Sequence, residues 1–427
     1  MRQVRHDKPI ISSLFDANDF YKFTMGQFVW QRYLGTEVVS AFRNRTKKVR
    51  LAEVIDLGQL REELDNVRSL RFTNTELHYL RGTNEYGDRM FSEPYLEFLK
   101  GLTLPQYELG VKGPDIDLRF PGSWEKQIYW ETMALAIVNE LYARALMKPL
   151  SRFEQETVLS TGRLRLAEKI KFLRENPTIV FSDFGSRRRF SGEWQAYVND
   201  VLCEEVPNQF LGSSNTYLAM RNGTVPMGTA AHELQMVVAG LRDGQKDWIR
   251  ISQREVTEGW WQMYGYGLSI FLPDTYTTRT FDENLTDAEV IRSKGDRWDS
   301  GNPYKFGDSR IERYQRLGVD PLTKLLIPSD GLDMVMMKKL HDYFYGRIKL
   351  SYGWGTNLTN DLFDSAMHGD LWYGPLSLVI KPITANGRGL VKLSDNPPKA
   401  TGTQEDIKRY MDEVKYDPNT ESVACVY

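Results

Sequence analysis

The chain reads as an α/β protein in which an irregular (β/α) barrel is joined to an α/β domain formed by the N-terminal and C-terminal parts of the sequence. From residue 178 onward, six apolar or alternating segments each end in a polar or Gly-rich motif, with helical stretches between most of them. Before residue 123 the pattern differs, mixing helices with short strands. After residue 375 strand signals return around Asn386-Gly387, a hairpin turn between 376–384 and 389–393. The expected division is 1–150 for the N-terminal α/β part, completed by about 376–427, and 151–375 for the barrel that carries the active site.

The 427 residues suffice for two or three domains of ordinary size. With 41% hydrophobic and 26% charged residues the composition is that of a globular protein. A formal charge of −2 gives no global drive toward nucleic acid or an acidic membrane. The two cysteines, Cys203 and Cys425, fit a reducing compartment, and no zinc spacing is present. Residues 1–9 are polar and lack the apolar core of a signal peptide. The richest apolar run, 133–147, is broken by Asn139, Glu140 and Arg144 and reads as an amphipathic core helix rather than a membrane span. The expectation is a cytoplasmic protein with neither a nucleic-acid nor a membrane partner.

Taken in order, residues 14–34 open with an Asp/Asn cap signal and continue as a helix. Its aromatics, Phe20, Phe23, Phe28, Trp30 and Tyr33, exceed what one helix face needs, and core packing is the expected role for most. Residues 37–43 alternate as a strand, and helices follow at 51–67 and 73–81, the latter behind a Thr73/Glu76 capping box. Residues 84–122 are short and strand-rich, and helices at 123–147 and 151–175 hold the change of domain. The six segments are 178–187, 225–232, 268–278, 290–303, 325–333 and 347–357, with helices at 306–317 and 333–345. Such βα repetition implies a parallel sheet. Polar residues at every strand end, rather than at one switch point, favour a barrel over a doubly wound open sheet. Asn396 to Lys399 and a helix at 403–415 finish the chain.

His232, one of only five histidines, sits where a strand hands over to a helix behind Gly228, Thr229, Ala230 and Ala231. Small neighbours leave the imidazole reachable, although a buried, satisfied histidine is the structural alternative. Gly353-x-Gly355-Thr356 follows a strand and leads into a helix, the arrangement of a phosphate loop. Asp274, Asp299 and Asp330 end three separate strands, suited to Mg²⁺ or ribose hydroxyls, with helix capping as the alternative for each. Arg187 and Arg297 supply fixed planar charge, while Arg188 and Arg189 are expected to be solvated. A phosphate loop, acids, two arginines and a reactive histidine suggest a phosphorylated sugar and an anionic second substrate. No Walker A lysine and no GxSxG are present.

Together these motifs resemble the nicotinate phosphoribosyltransferase family over nearly the whole chain. The resemblance rests on Asp16-x-x-Asp19-Phe-Tyr21-Lys-x-Thr-Met25, Val67 to Phe72, Ser182-Asp-Phe-Gly-Ser-Arg187 to Phe190, and Gly212-Ser-Ser-Asn215. It continues through Gly228 to Glu233, Asp299-Ser-Gly301, Ser329-Asp-Gly331-Leu-Asp333, Gly353 to Asn360 and Lys392-Leu-Ser-Asp395. In this order and spacing the set is highly specific. It implies a type II phosphoribosyltransferase fold and the reaction of nicotinate with phosphoribosyl pyrophosphate, giving nicotinate mononucleotide and pyrophosphate in NAD biosynthesis. It further implies ATP as co-substrate, phosphorylation of a histidine matching His232, Mg²⁺, and a homodimer with shared active sites.

By motif, the resemblance implies that Phe184 and Tyr21 sandwich the pyridine ring, with Tyr21 reaching in from the neighbouring subunit. Arg187 and Arg297 would lie near the nicotinate carboxylate or the phosphates. Asp299 and Asp330, the latter beside Gly331, would hold ribose or Mg²⁺-pyrophosphate, Asp274 would support His232, and the 353–356 turn would take the 5′-phosphate. Stacking orients a flat substrate, and acids stabilise the cationic sugar that forms during transfer.

Three positions depart from the family pattern: Trp298 replaces a histidine, Asn302 an acid, and Arg279 an acid. Asn302 matches the sister nicotinamide-using family, yet where that family carries an Asp this chain has Ser214. A carboxylate there would bind an amide and repel nicotinate, so Ser214 points to nicotinate. The rival readings are a nicotinamide phosphoribosyltransferase, a catalytically silent nucleotide-binding barrel, and a sugar-phosphate isomerase barrel.

Overall fold

The computed structural model describes residues 8–82, 84–85, 88–368, 371–396 and 400–416. Cys425, residues 1–7 and residues 397–399 lie outside the described residues. The fold is α/β, with one five-stranded antiparallel sheet and two parallel sheets of four and three strands.

The antiparallel sheet is centred on Glu37–Asn44, whose alternate residues Val38, Ser40, Phe42 and Asn44 are buried. On one side it pairs with Asp115–Ser123, Ser40 lying opposite Phe120, and on the other with Leu378–Ala385, Phe42 lying opposite Ile380. A strand from the C-terminal part is thus laid directly against one from the N-terminal part. Asn386 and Gly387 take φ of 46° and 78° and turn the chain into Arg388–Gly389, as the Asn-Gly signal predicts.

Helix Trp130–Met147 is buried along almost its whole length, so it is a central core helix and not an amphipathic one. The polar residues that interrupt its apolar run are tie points. Asn139 Nδ2 donates to the Arg187 carbonyl at 3.0 Å, and Glu140 accepts from Arg144 at 2.8 Å and from Gly192 N at 2.9 Å. The loop carrying Arg187 is held by this helix.

Ile270–Phe271, Gly295–Trp298, Leu325–Pro328 and Lys349–Leu350 form the four-stranded parallel sheet, and Phe210–Ser213, Phe181–Asp183 and Tyr352–Trp354 the three-stranded one. The stretch 349–354 serves both. Ser351 N donates to Leu326 O at 3.2 Å, and the next residue, Tyr352, donates through N to Val180 O at 3.1 Å.

Several segments differ from the sequence expectation. Residues 290–292 belong to helix Asp287–Arg292, opened by a Thr286/Glu289 capping box, and the strand begins only at Gly295. A short apolar run does not by itself tell helix from strand. Residues 225–231 form no strand. Pro226 has no N–H to give a ladder, Gly228 takes φ of 144°, and the segment touches the sheet through Met227 N to Ser213 O at 3.0 Å. The neighbour of Phe181–Asp183 is instead Phe210–Ser213, which is not among the six segments. The supposedly strand-rich 84–122 contains helix Glu93–Lys100, capped by Ser92 with Pro94 in its first turn.

One hydrophobic core gathers the N-terminal helices, the antiparallel sheet and the helices after His232 (Phe23, Tyr129, Val237, Trp260), and a second lies among the parallel strands and their helices (Phe181, Trp194, Leu340, Trp354). Among the described residues no helix is long and apolar enough to cross a membrane.

Candidate active site

The irregular 225–231 segment delivers His232 to the start of helix Glu233–Arg242 with its side chain buried. His232 Nδ1 lies 3.0 Å from Thr275 Oγ1, and Nε2 lies 3.1 Å from Asp299 Oδ2 and 3.5 Å from Asp274 Oδ1. Asp274 Oδ2 accepts from Lys392 Nζ at 2.9 Å and Ser300 Oγ at 2.7 Å, while its Oδ1 is buried without a hydrogen-bond partner. Asp299 Oδ1 accepts from Ser329 Oγ at 3.1 Å and lies 3.6 Å from the Arg297 guanidinium. Two acids from different strand ends therefore converge on one imidazole nitrogen. Neither is a helix cap: the caps nearby are made by Thr277, Asn302 and, in place of Asp330, Asp333.

Burial lowers the His232 pKa to about 4, and Lys392 adds to the effect, against the pull of Asp274 and Asp299. The imidazole is neutral at pH 7. Burial alone would raise Asp299, but Arg297 and His232 hold its carboxyl well below the usual range, and against the same burial Lys392 and His232 lower that of Asp274.

A cavity of about 320 Å³ opens beside His232. Tyr21 and Phe184 supply aromatic walls, and Arg187, Arg297 and Ser214 polar ones. Asp299, Asp330 and Gly331 line it from two strand ends, and Gly355 and Thr356 from a third. Gly353 does not line it. A Cβ at that position would stand 2.5 Å from the Phe184 ring, so this glycine makes room for the aromatic wall.

Tyr21 lines the cavity within its own chain. The start of its helix is bound to the strand end beside it. Phe20 N donates to Ser214 O at 2.7 Å, and Thr216 Oγ1 donates to Asn18 O at 2.9 Å. A Cβ on Gly228 would come within 3.1 Å of Tyr21 N, so the 225–231 segment passes directly against it. The Tyr21 hydroxyl is buried and has no hydrogen-bond partner among the described residues.

Several cavity residues escape the sequence reading: Asp19, Arg45, Arg188, Lys381 and Lys392. Arg188 is a half-buried cavity wall and not a freely solvated side chain, and burial brings its pKa down to about 10 with Arg187 beside it. Arg189 is fully buried and paired through Nη1 with Asp16 at 2.6 Å. The Arg187-Arg188-Arg189 run was the available signal, and Lys392 heads a motif quoted for the resemblance. Arg45 and Lys381 lie on and near the antiparallel sheet, where nothing in the sequence marks them. The lining carries six cationic side chains, Arg45, Arg187, Arg188, Arg297, Lys381 and Lys392, against three acids, Asp19, Asp299 and Asp330. That surplus suits a polyanionic ligand.

Behind the cavity, Lys22 Nζ lies 2.7 Å from Glu131 and 2.6 Å from Glu233, all three buried, and Trp124 Nε1 donates to Glu233 at 2.9 Å. The residue after Tyr21 is thereby tied to the residue after His232. The three departures from the family pattern do not line the cavity. Trp298 is in the core, Asn302 caps helix Pro303–Arg316, and Arg279 pairs with Glu283 at 3.0 Å.

The model of the nicotinate phosphoribosyltransferase family matches residues 179–419, and that of its N-terminal domain matches residues 17–139. A nicotinate phosphoribosyltransferase structure from Vibrio cholerae is 30% identical with a TM-score of 0.84, covering 97% of this chain and 96% of that one. One from Porphyromonas gingivalis is 29% identical with a TM-score of 0.82, covering 95% and 100%. A Saccharomyces cerevisiae structure shares the fold at 24% identity, with a TM-score of 0.83 and coverage of 97% and 100%. The two family matches run from one side of the cavity to the other, and the chain belongs to the nicotinate phosphoribosyltransferase family.

Proposed function

We propose that the protein transfers phosphoribosyl from phosphoribosyl pyrophosphate to nicotinate, forming nicotinate mononucleotide and pyrophosphate in NAD biosynthesis, and couples this to ATP hydrolysis through phosphorylation of His232. The family membership supports the reaction. The observation that carries the coupling is a neutral imidazole gripped by two carboxylates at the edge of a cation-rich cavity.

The acids at Nε2 favour the tautomer that carries its proton there, donating to Asp299. Nδ1 then keeps its lone pair, accepting from the Thr275 hydroxyl until that rotates away. The nucleophile is Nδ1. It attacks the terminal phosphorus of ATP, the P–O bond to ADP breaks, and the growing charge on the ring is stabilised by Asp299 and Asp274. Hydrolysis of the phosphohistidine later restores the free imidazole.

In glycosyl transfer, Tyr21 and Phe184 hold the pyridine ring, and Arg187 and Arg297 meet the carboxylate or the phosphates. The turn at Gly355 and Thr356 receives the 5′-phosphate, and the remaining cations receive pyrophosphate. Asp299 and Asp330 stabilise the sugar as it becomes cationic. Mg²⁺ fits this set. Asp299 and Asp330 offer the carboxylate oxygens it prefers, and one of them would hold it against the pyrophosphate. The donor atoms of His232, Asp274 and Asp299 lie within 4.8 Å of one another, but a cation there would occupy the imidazole that must act as nucleophile. When bound, the ion neutralises the leaving pyrophosphate.

In this reading the two parallel sheets are arcs of an irregular barrel over 151–375, residues 1–150 and 376–427 make the second domain, and the protein is cytoplasmic. A homodimer with shared active sites belongs to the proposal. The test is mononucleotide formation by purified protein with phosphoribosyl pyrophosphate and Mg²⁺. Nicotinate should be consumed. Consumption of nicotinamide alone would shift the substrate, and tight nucleotide binding without product would favour a silent barrel.

A further inference from the structure

Ser214 was read as an uncharged seat for a carboxylate, but a carboxylate stands directly behind it. Ser214 Oγ donates to Asp19 Oδ1 at 2.7 Å. Both residues are 3% exposed, and both line the cavity beside Tyr21, Phe184 and Arg187. Backbone pairing fixes the two together: Asp19 bridges to Asn215, and Phe20 N donates to Ser214 O at 2.7 Å.

A hydroxyl has one proton. While Asp19 is ionised, Ser214 spends that proton on it and shows the cavity only lone pairs. Asp19 itself is then an acceptor and a negative charge. From this pair a carboxamide gains two acceptors, whereas a carboxylate gains no donor to add to Arg187 and meets a like charge. If Asp19 is protonated the direction reverses. Its O–H donates to Ser214 Oγ, and the Ser214 O–H is free to donate to a carboxylate ligand.

We propose that Asp19 and Ser214 form a proton-dependent selector of the pyridine base: protonated Asp19 admits nicotinate, ionised Asp19 admits nicotinamide, and nicotinate binding takes up one proton at this pair. The inference rests on the phosphoribosyl-transfer reading and deepens it. The groups facing Asp19 act in both directions. Burial pushes its carboxyl up, Arg187 and hydrogen bonds from Ser214 and Ser186 pull it down, and the charge of Asp183 raises it again. Asp183 accepts from Gly185 N at 2.7 Å, Gln195 Nε2 at 2.8 Å, Asn199 Nδ2 at 2.9 Å and Ser213 Oγ at 2.8 Å. Tyr21 lines the same cavity and is influenced by the charges of both Asp19 and Glu131. An incoming carboxylate adds negative charge beside Asp19 and favours its protonation further.

The test compares kcat/KM for nicotinate and nicotinamide between pH 6 and 9 in wild type, Asp19→Asn and Ser214→Ala. In wild type the nicotinate-to-nicotinamide ratio should fall as pH rises, by up to about tenfold per pH unit. In Asp19→Asn the side-chain amide donates to Ser214 as the protonated acid does. Nicotinate kcat/KM should then lose this pH dependence, and the ratio should move at least about tenfold toward nicotinate. Ser214→Ala should leave only the effect of the Asp19 charge, so the ratio should depend on pH several-fold more weakly than in wild type. Calorimetry of nicotinate binding in buffers of different ionisation enthalpy should show about one proton taken up in wild type and none in Asp19→Asn. An unchanged ratio and pH profile in a normally folded Asp19→Asn overturns the proposal. If that variant does not fold, a flat wild-type ratio with no proton uptake does so. Nicotinate binding with proton uptake but without turnover would leave the selector standing and remove the transfer reading.

Discussion

His232 Nε2 and Asp299 Oδ2 are 3.1 Å apart, and Asp299 is in turn the cavity-facing acid held by Arg297 and Ser329. One carboxylate therefore belongs both to the imidazole and to the substrate cavity. Asp299→Asn keeps the shape but removes the charge that stabilises a charged ring and a cationic sugar. The expected result is a fall in kcat/KM of about 100-fold, with ATP acceleration reduced as well. Steady-state kinetics with and without ATP check it.

The pKa of His232, lowered to about 4 by burial, has a pH consequence. Phosphohistidine formation should be level from pH 8 to about 5 and fall toward pH 4, as measured by rapid-quench labelling. Stability follows the same shift. The unfolded chain protonates this histidine below its ordinary value of 6.5, and the folded protein does so only near 4. The unfolded state binds more protons across that window, so stability falls as pH drops through it, by ~3 kcal/mol. His232→Gln should remove that part of the pH dependence in thermal melts.

Gly353 and Phe184 give a prediction that separates packing from phosphate contact. Gly353→Ala pushes a methyl group into the Phe184 ring and should raise the base KM about 5- to 15-fold, as lost stacking would. The KM for phosphoribosyl pyrophosphate should stay within about twofold. Equal effects on both would place Gly353 at the phosphate instead.

Lys22→Met leaves Glu131 and Glu233 buried without their shared cation. The expected loss is about 3–5 kcal/mol, read as a lower Tm, together with a reduced rate because Glu233 follows His232. Burial raises Glu131, but Lys22 and Lys381 overcome it and hold the carboxyl below its ordinary range. Its contribution to stability is present above the usual glutamate pKa and lost as pH falls below it, and the variant should show a weaker acid dependence.

Much of this site was legible because strand-end chemistry is local in sequence. His232, Asp299, Asp330, Phe184 and Arg187 each lie in a short motif, and each reaches the same small region of the molecule. The (β/α) pattern also located six of the seven strands of the two parallel sheets to within a few residues and missed Phe210–Ser213. The reading weakened where tertiary contacts decide. Residues 225–231 looked like a strand, but Pro226 and Gly228 carry the chain along a sheet edge without a ladder. Trp248–Tyr264 and Glu93–Lys100 are helices that each bury an apolar stripe, Trp248, Ile249, Val256 and Trp260 in one and Tyr95, Leu96 and Leu99 in the other, a helical spacing that the sequence already carried. Asp19 was quoted only as part of an opening motif, because its meaning depends on Ser214, far along the chain. Trp298, Asn302 and Arg279 looked informative about the base, yet their places in the core, at a helix cap and in an exposed ion pair make them structural.

The most direct measurement of the central claim is nicotinate mononucleotide formation by wild type and His232→Ala, each with and without ATP, alongside acid-labile phosphate incorporated from γ-labelled ATP. The account predicts that ATP accelerates wild type, that label is incorporated, and that His232→Ala retains slow, ATP-independent turnover without label. Equal ATP acceleration in both proteins, or label retained in His232→Ala, would contradict it.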